Sequence, residues 1–164
     1  MDVTELIPDT IILGERSYEA ALNLVIAKAQ NELLIFDQDF VRGDYASTTR
    51  FELLFEFLSK NDLSKLIIIL HTATYFVNYC PRLSELLKVY AHKITIYETN
   101  YAAKVAKDCF IIADQRHYCR RFHIDQARFK YALNDAETCA SLNMRFEELL
   151  EETIEPISVT KLGL

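Results

Sequence analysis

The chain has 164 residues and a formal net charge of −6. That length suits one domain with a real core, and the acidic balance disfavours unassisted binding to nucleic acid or an anionic membrane. Hydrophobic residues make up 51% and charged residues 26%, an ordinary globular balance, and three Gly and three Pro leave little room for linkers.

In chain order, residues 1–14 read as a lead-in arm punctuated by Pro8 and Gly14, with Ile11-Ile12-Leu13 as a short strand or packed arm. Ser17 is the expected N-cap of a first helix, whose apolar face is Tyr18, Ala21, Leu22, Val25 and Ala29, ending near Gln30-Asn31. Leu33 to Phe36 is a buried strand closed by Asp37-Gln38-Asp39. After a loop around Gly43, Thr49 to Glu52 has capping-box spacing, and Phe51, Leu54, Phe55 and Leu58 form the stripe of a second helix. Leu66 to Leu70 is an unbroken apolar strand ended by His71-Thr72, and 75–80 reads as an irregular turn. Pro81 opens a third helix with Leu83, Leu86, Leu87 and Tyr90 on one face. Ile94 to Tyr97 is the next strand, ended by Glu98-Thr99-Asn100. The run 109–114 is the central strand, 118–124 its hairpin partner, and 125–133 a mixed connection. Asn134 caps a last helix with Glu137 as its box partner and Cys139, Leu142, Phe146, Leu149 or Leu150, and Ile154 as its core face; Pro156 stops it, and 156–164 is a tail. Apolar strands separated by helices predict an α/β fold with a mixed, largely parallel sheet flanked by helices.

No stretch approaches the about 18 consecutive apolar residues of a membrane span. The acidic start Met1-Asp2-Val3-Thr4-Glu5 lacks the basic region of a signal peptide. Cys80, Cys109, Cys119 and Cys139 contain no C-x-x-C pair, so metal spacing is absent and no cofactor is expected. Buried reduced thiols and a cytoplasmic location follow. The alternative for Cys109 is a thiolate favoured by Lys107 and the basic residues downstream.

Polar residues around the central strand have a definite spacing. Lys107, Cys109 and Asp114 occupy the three positions of an H-x-K-x4-D frame. The frame and the element order around it resemble one repeat of the phospholipase D-like superfamily. So do the first helix feeding a strand that ends in Asp37-Gln38-Asp39, and the terminal helix with its Phe146-Glu147-Glu148-Leu149 segment. The resemblance spans about residues 15 to 155 and implies that family's fold. In the family the frame's His attacks phosphorus, its Lys holds phosphate oxygens and its Asp orients the site. Here Lys107 stands in the His position and Cys109 in the Lys position, while Asp114 matches. The family's Gly-Ser-x-Asn segment corresponds to Arg120-Arg121-Phe122-His123, which has none of those residues. No internal repeat is visible, so the chain is read as one domain and one repeat. The family's enzymes set two motifs across a pseudo-twofold, so a single repeat implies a homodimer.

Charge is unevenly placed. Residues 104–130 hold seven basic residues (Lys104, Lys107, Arg116, Arg120, Arg121, Arg128 and Lys130) against Asp108, Asp114 and Asp125, whereas 134–155 hold seven acids against Arg145. One reading is a solvated surface with ion pairs. The other is an anion pocket at the strand ends, where the resemblance implies phosphate binding by Lys107, Arg120 or Arg121, with His123 nearby. Neighbouring strand residues face opposite ways, so at most one of Arg120 and Arg121 enters that pocket. Asp37, Asp39 and Asp114 end strands, where α/β sheets place ligands. The alternative for these acids is capping or pairing with Arg42, Arg50 or Arg116. His71 ends a strand too, either as a hydrogen-bonded structural residue or facing the crevice.

The function that follows is a catalytically inactive phospholipase D-like module that binds an anionic ligand, such as a phosphate-bearing small molecule, or a protein partner in a regulatory or scaffolding role. Nucleic acid is disfavoured by the net charge. The alternative is a phosphodiesterase- or phosphatase-type enzyme with an altered site, acting on nucleic acid or phospholipid.

Overall fold

A computed structural model gives the structure of the protein and describes residues 5–157. Gly14, at φ 113, makes the turn that starts helix α1 (Glu15–Lys28). A left-handed backbone of this kind suits a residue without Cβ. The helix thus begins two residues before Ser17, which is buried in its first turn rather than capping it. Tyr18, Ala21, Leu22, Val25 and Ile26 form the buried face, and Ala29 beyond the helix is buried with them.

Strands β1 (Ile12–Leu13), β2 (Glu32–Asp37), β3 (Lys65–Leu70), β4 (Ile94–Glu98), β5 (Cys109–Ala113), β6 (His117–His123) and β7 (Gln126–Ala132) form one sheet in the order β1-β7-β6-β5-β2-β3-β4. The sheet is mixed and flanked by helices, as expected. Its parallel part is smaller than expected, because only β2–β3 and β3–β4 pair in parallel while β5, β6, β7 and β1 join antiparallel ladders. The central strand β5 runs antiparallel to β2, matching Phe36 with Phe110 and Leu33 with Ala113. The segment expected to be a mixed connection is a full strand, β7, paired with β6 at Arg120↔Lys130 and Arg121↔Phe129.

Helix α2 (Thr48–Ser59) is capped by Ser47, whose hydroxyl accepts the Arg50 N–H at 3.0 Å, instead of by the Thr49–Glu52 box. The expected irregular turn at 75–80 is a short helix, α3 (Thr74–Tyr79), which leads into α4 (Pro81–Val89). Helix α5 (Ala136–Glu151) is capped by Asp135, which accepts the Thr138 N–H at 3.0 Å, whereas Asn134 sits at φ 59 outside the helix. Ile154 lies beyond α5 and is exposed, so the core face of α5 is Cys139, Leu142, Phe146 and Leu149.

Two cores result. Helices α1, α2 and α4 cover one face of the sheet through Leu33, Ile35, Ile68, Ile111 and Ala113. Helix α5 covers the other through Leu34, Phe36, Phe110 and Ile112. Residues 152–157 run beside β4: the N–H groups of Ile154 and Ile157 donate to Glu98 and Ile96, at 3.0 and 2.8 Å. The remainder of the expected tail, 158–164, lies outside the described residues.

Candidate functional site

The topology gathers one edge of the sheet from several strands. The C-terminal ends of β2, β3, β4 and β6 meet the start of β5. This brings Asp37, Asp39, His71, Lys107, Cys109, Arg120, Arg121 and His123 to the same edge. Asp114 is excluded, since it ends β5 at the opposite edge. There its carboxylate accepts the backbone N–H groups of Gln30 (2.8 Å), Asn31 (2.8 Å) and Glu32 (2.9 Å), tying down the start of β2.

The gathered residues divide between the two faces. On the α1 side, Asp37, Cys109 and Arg121 are each 1% exposed. The Cys109 thiol donates to the Asp37 carboxylate, which also accepts the Phe40 N–H at 2.7 Å. Burial pushes Asp37 up to about 6, against the hydrogen bonds of Phe40 and Cys109, and pushes the Cys109 thiol well above its ordinary value. The thiolate reading of Cys109 therefore fails on desolvation. Arg121 makes a two-pronged pair with Glu15 of α1 at 2.6 and 2.9 Å. It also donates to the carbonyls of Ile124 (2.7 Å) and His123 (3.2 Å), and its guanidinium lies 5.2 Å from the Tyr18 ring centroid. That pairing holds Glu15 below its usual carboxylate range. Phe40, whose N–H bonds Asp37, is buried and stacked on Tyr45 at 4.1 Å. The Asp39 carboxylate accepts the Val41 N–H of its own turn at 3.0 Å, and the Asp39 N–H donates to Asp37 at 3.3 Å.

On the α5 side, both ring nitrogens of His71 are engaged, Nδ1 with Thr99 Oγ1 and Nε2 with the Ala106 carbonyl, each at 2.7 Å. Burial lowers its pKa. This is the structural alternative for His71. Gln38 donates to the carbonyls of Ala106 and Asp108, and Lys104 to that of His71. Asp108 is buried and binds Arg120 (3.2 Å) together with Arg145 of α5. Arg120 and Arg121 thus face opposite ways, as strand geometry requires. Lys107 and His123 are exposed, and the Lys107 carbonyl accepts the Ile124 N–H at 2.8 Å.

Sequence reasoning missed Glu15, Asp108 and Arg145, because each acts through a partner distant in the chain. It counted Arg128 and Lys130 among the basic residues of 104–130 but missed the strand β7 that carries them. The strand's signal was present, since Ala127, Phe129 and Tyr131 alternate with Gln126, Arg128 and Lys130. Among the described residues, no group of three His, Cys, Asp or Glu side chains is placed to hold a metal. No described helix is long and apolar enough to cross a membrane. The four cysteines are buried and free.

A mixed seven-stranded sheet, helices on both faces and a central strand starting at the gathered edge are similar to the phospholipase D fold. Nuc of Salmonella typhimurium, a phospholipase D family member, superposes with a TM-score of 0.62 at 9% identity over 88% of this chain and 96% of its own. NucT of Helicobacter pylori gives 0.56 at 15% identity with the same coverage. TrmBL2, described as an archaeal chromatin protein with a novel mode of DNA binding, gives 0.63 at 17% identity. This chain covers 88% of itself but 52% of TrmBL2, about half that protein's length. The chain belongs to the family described as "Domain of unknown function (DUF7931)", which matches residues 15–162. No curated protein matches it in sequence.

Proposed function

We propose that the protein is a non-catalytic phospholipase D-like module that binds a phosphate-bearing ligand or a protein partner in a regulatory or scaffolding role. The observation that carries this reading is the state of the two motif positions at the start of β5, Lys107 just before it and Cys109 as its first residue. Lys107 is exposed and, when protonated, has no lone pair with which to attack phosphorus. Cys109 is sealed against Asp37 with its thiol held neutral. His71, the buried imidazole at this edge, has both nitrogens occupied. The arrangement supports a packed relic rather than an open site with a nucleophile and an orienting base. The fold shared with Nuc, a phospholipase D family member, supports the phospholipase D-like part of the reading, and the DNA binding ascribed to TrmBL2 is in keeping with a phosphate-bearing ligand. The test is hydrolysis of an aryl phosphodiester by purified protein. The expected result is no turnover above background; turnover abolished by Lys107→Ala would overturn the reading.

We further propose a homodimer with residues 107–123 near its axis. Tyr101 (92% exposed) and Val105 (83%) stand beside the gathered edge, as apolar side chains awaiting a partner surface do. Light scattering should give twice the chain mass of 19.0 kDa at micromolar concentration. The monomer mass would refute the dimer.

A further inference from the structure

The outward face of the β6–β7 hairpin carries a charge arrangement that the folded chain leaves unbalanced. Arg120 and Lys130 are directly opposite each other in the ladder. Like charges so placed destabilise a strand pair. Arg128, two residues before Lys130, shares that face, as does Phe122, two residues after Arg120. The guanidinium carbons of Arg120 and Arg128 lie 5.5 and 5.7 Å from the Phe122 ring centroid, so one ring holds two cations in place. Counter-charge is scarce. Asp108 takes the Nε–H of Arg120 but is shared with Arg145. Lys130 pairs with Asp9, at 3.3 Å on a side chain 71% exposed, and lies within electrostatic reach of Asp135 at the start of α5. Arg128 has no acidic partner among the described residues.

Between this face and α5 lies a groove of about 230 Å³ lined by Tyr118, Arg120, Phe122, Lys130, Thr138 and Ser141, among others. Two cations and the exposed Ser141 supply N–H and O–H donors along its wall, with Arg128 at its margin. Its volume is below the usual ligand-site range of about 300–1,000 Å³, which suits a small group. A polymer would also meet the acids of α5 and the chain's net charge of −6, whereas a compact dianion meets mainly the local cations.

We propose that this groove binds the phosphate of a small phosphomonoester, or free inorganic phosphate. It deepens the non-catalytic reading by placing the retained ligand on the α5 side of β6 and β7, away from Cys109 and Asp37. Isothermal titration calorimetry on the full chain tests it, with inorganic phosphate, glycerol phosphate and a single-stranded oligothymidylate as probes. Saturable one-to-one binding of phosphate or glycerol phosphate is expected, and the stronger of the two identifies the source. Arg128→Ala and Lys130→Ala, both surface changes, should each weaken it about tenfold, as loss of one charge-assisted contact does. Lys107→Ala should leave it unchanged. Equal weakening by Lys107→Ala would mean diffuse attraction, and binding confined to the oligonucleotide would mean a polymer surface. Either result, or no binding at all, overturns the proposal. Phosphodiester turnover in the separate hydrolysis assay would sink the non-catalytic reading without touching the groove. Absence of phosphate binding would leave that reading standing.

Discussion

Asp114→Asn is the substitution whose effect the geometry specifies most sharply. Asp114 sits in the left-handed region at φ 55, a conformation that Asp and Asn both tolerate. The change therefore alters hydrogen bonding and charge while leaving backbone preference nearly constant. Oδ1 accepts the N–H groups of Asn31 and Glu32, and Oδ2 that of Gln30. An Asn oxygen can keep the first two bonds. Its NH₂ group then faces the Gln30 N–H, donor against donor. A hydrogen bond to a charged group contributes about 1.5–3 kcal/mol, more than its neutral counterpart. Gln30 is exposed, so water recovers part of that loss. The expected cost is about 1–2 kcal/mol, or a fall in Tm of roughly 2–8 °C for a chain of this size. Asp114→Ala removes both acceptor oxygens, and with them all three hydrogen bonds, and adds left-handed strain, so its cost should reach about 3–4 kcal/mol. Asp114→Gly removes the strain and should fall between the two. Urea unfolding followed by circular dichroism measures all three. If Asp114→Asn costs under about 0.3 kcal/mol, Asp114 is not the clamp on β2 described above.

Two other perturbations follow from burial. Ile111 and Ile112 lie on opposite faces of β5, at 1% and 0% exposure, so truncating either to Ala should cost about 2–5 kcal/mol. Costs under about 0.5 kcal/mol in equilibrium unfolding would deny β5 its central place. Asp37 is held at about 6 against an ordinary value of 3.8. An acid with a raised folded-state pKa binds its proton more tightly when folded, so its penalty is absent below about pH 4 and complete above about pH 6. Asp37→Asn removes that penalty, and its stability relative to the parent should rise with pH across this window by up to about 3 kcal/mol. A difference that stays flat from pH 4 to 7 in paired urea titrations would show that Asp37 is not desolvated as described.

Much of the fold was legible because periodicity and apolar runs report burial directly. Helix α4 opens at Pro81 as read, β3 is the apolar run as read, and the hairpin partner of β5 lies where its sequence put it. Three misreadings have distinct causes. The caps of α2 and α5 were displaced by two residues and by one because several Ser, Thr, Asp and Asn residues stand near each start and only the bonds made there choose among them, whereas α1 starts at the Gly14 turn, three residues before Ser17, with no side-chain cap. Helix α3, with its aromatic and branched residues and no side-chain cap, forms under tertiary control, with Phe76 buried against Phe40. Asp114 was grouped with Lys107 because spacing along one strand does not tell which neighbouring strand ends meet it. The antiparallel β2–β5 pairing carries Asp114 to the beginning of β2 and Cys109 to its end. The other eight residues expected there lie at one edge of the sheet but on its two faces, and their partners Glu15, Asp108 and Arg145 left no local signal.

The division of polar groups between the two faces bears on where recognition can occur. On the α1 side, an anion approaching Arg121 would have to displace Glu15 from a two-pronged pair and break two bonds to backbone carbonyls. Breaking that pair strands the buried Arg121 charge, even though the half-buried Glu15 carboxylate returns to water. A phosphate contact made in a half-hydrated cleft does not offset that. Opening the cluster would also expose the Phe40–Tyr45 stack. On the α5 side the balance is reversed. Arg120 and Arg145 share the single carboxylate of Asp108, Lys130 opposes Arg120 across the ladder, and Arg128 is held by a ring instead of an acid. An arriving dianion would relieve repulsion there without breaking a buried bond. The packed edge therefore serves stability, and the surplus charge on β6 and β7 makes the opposite face the one on which an anion gains free energy on arrival.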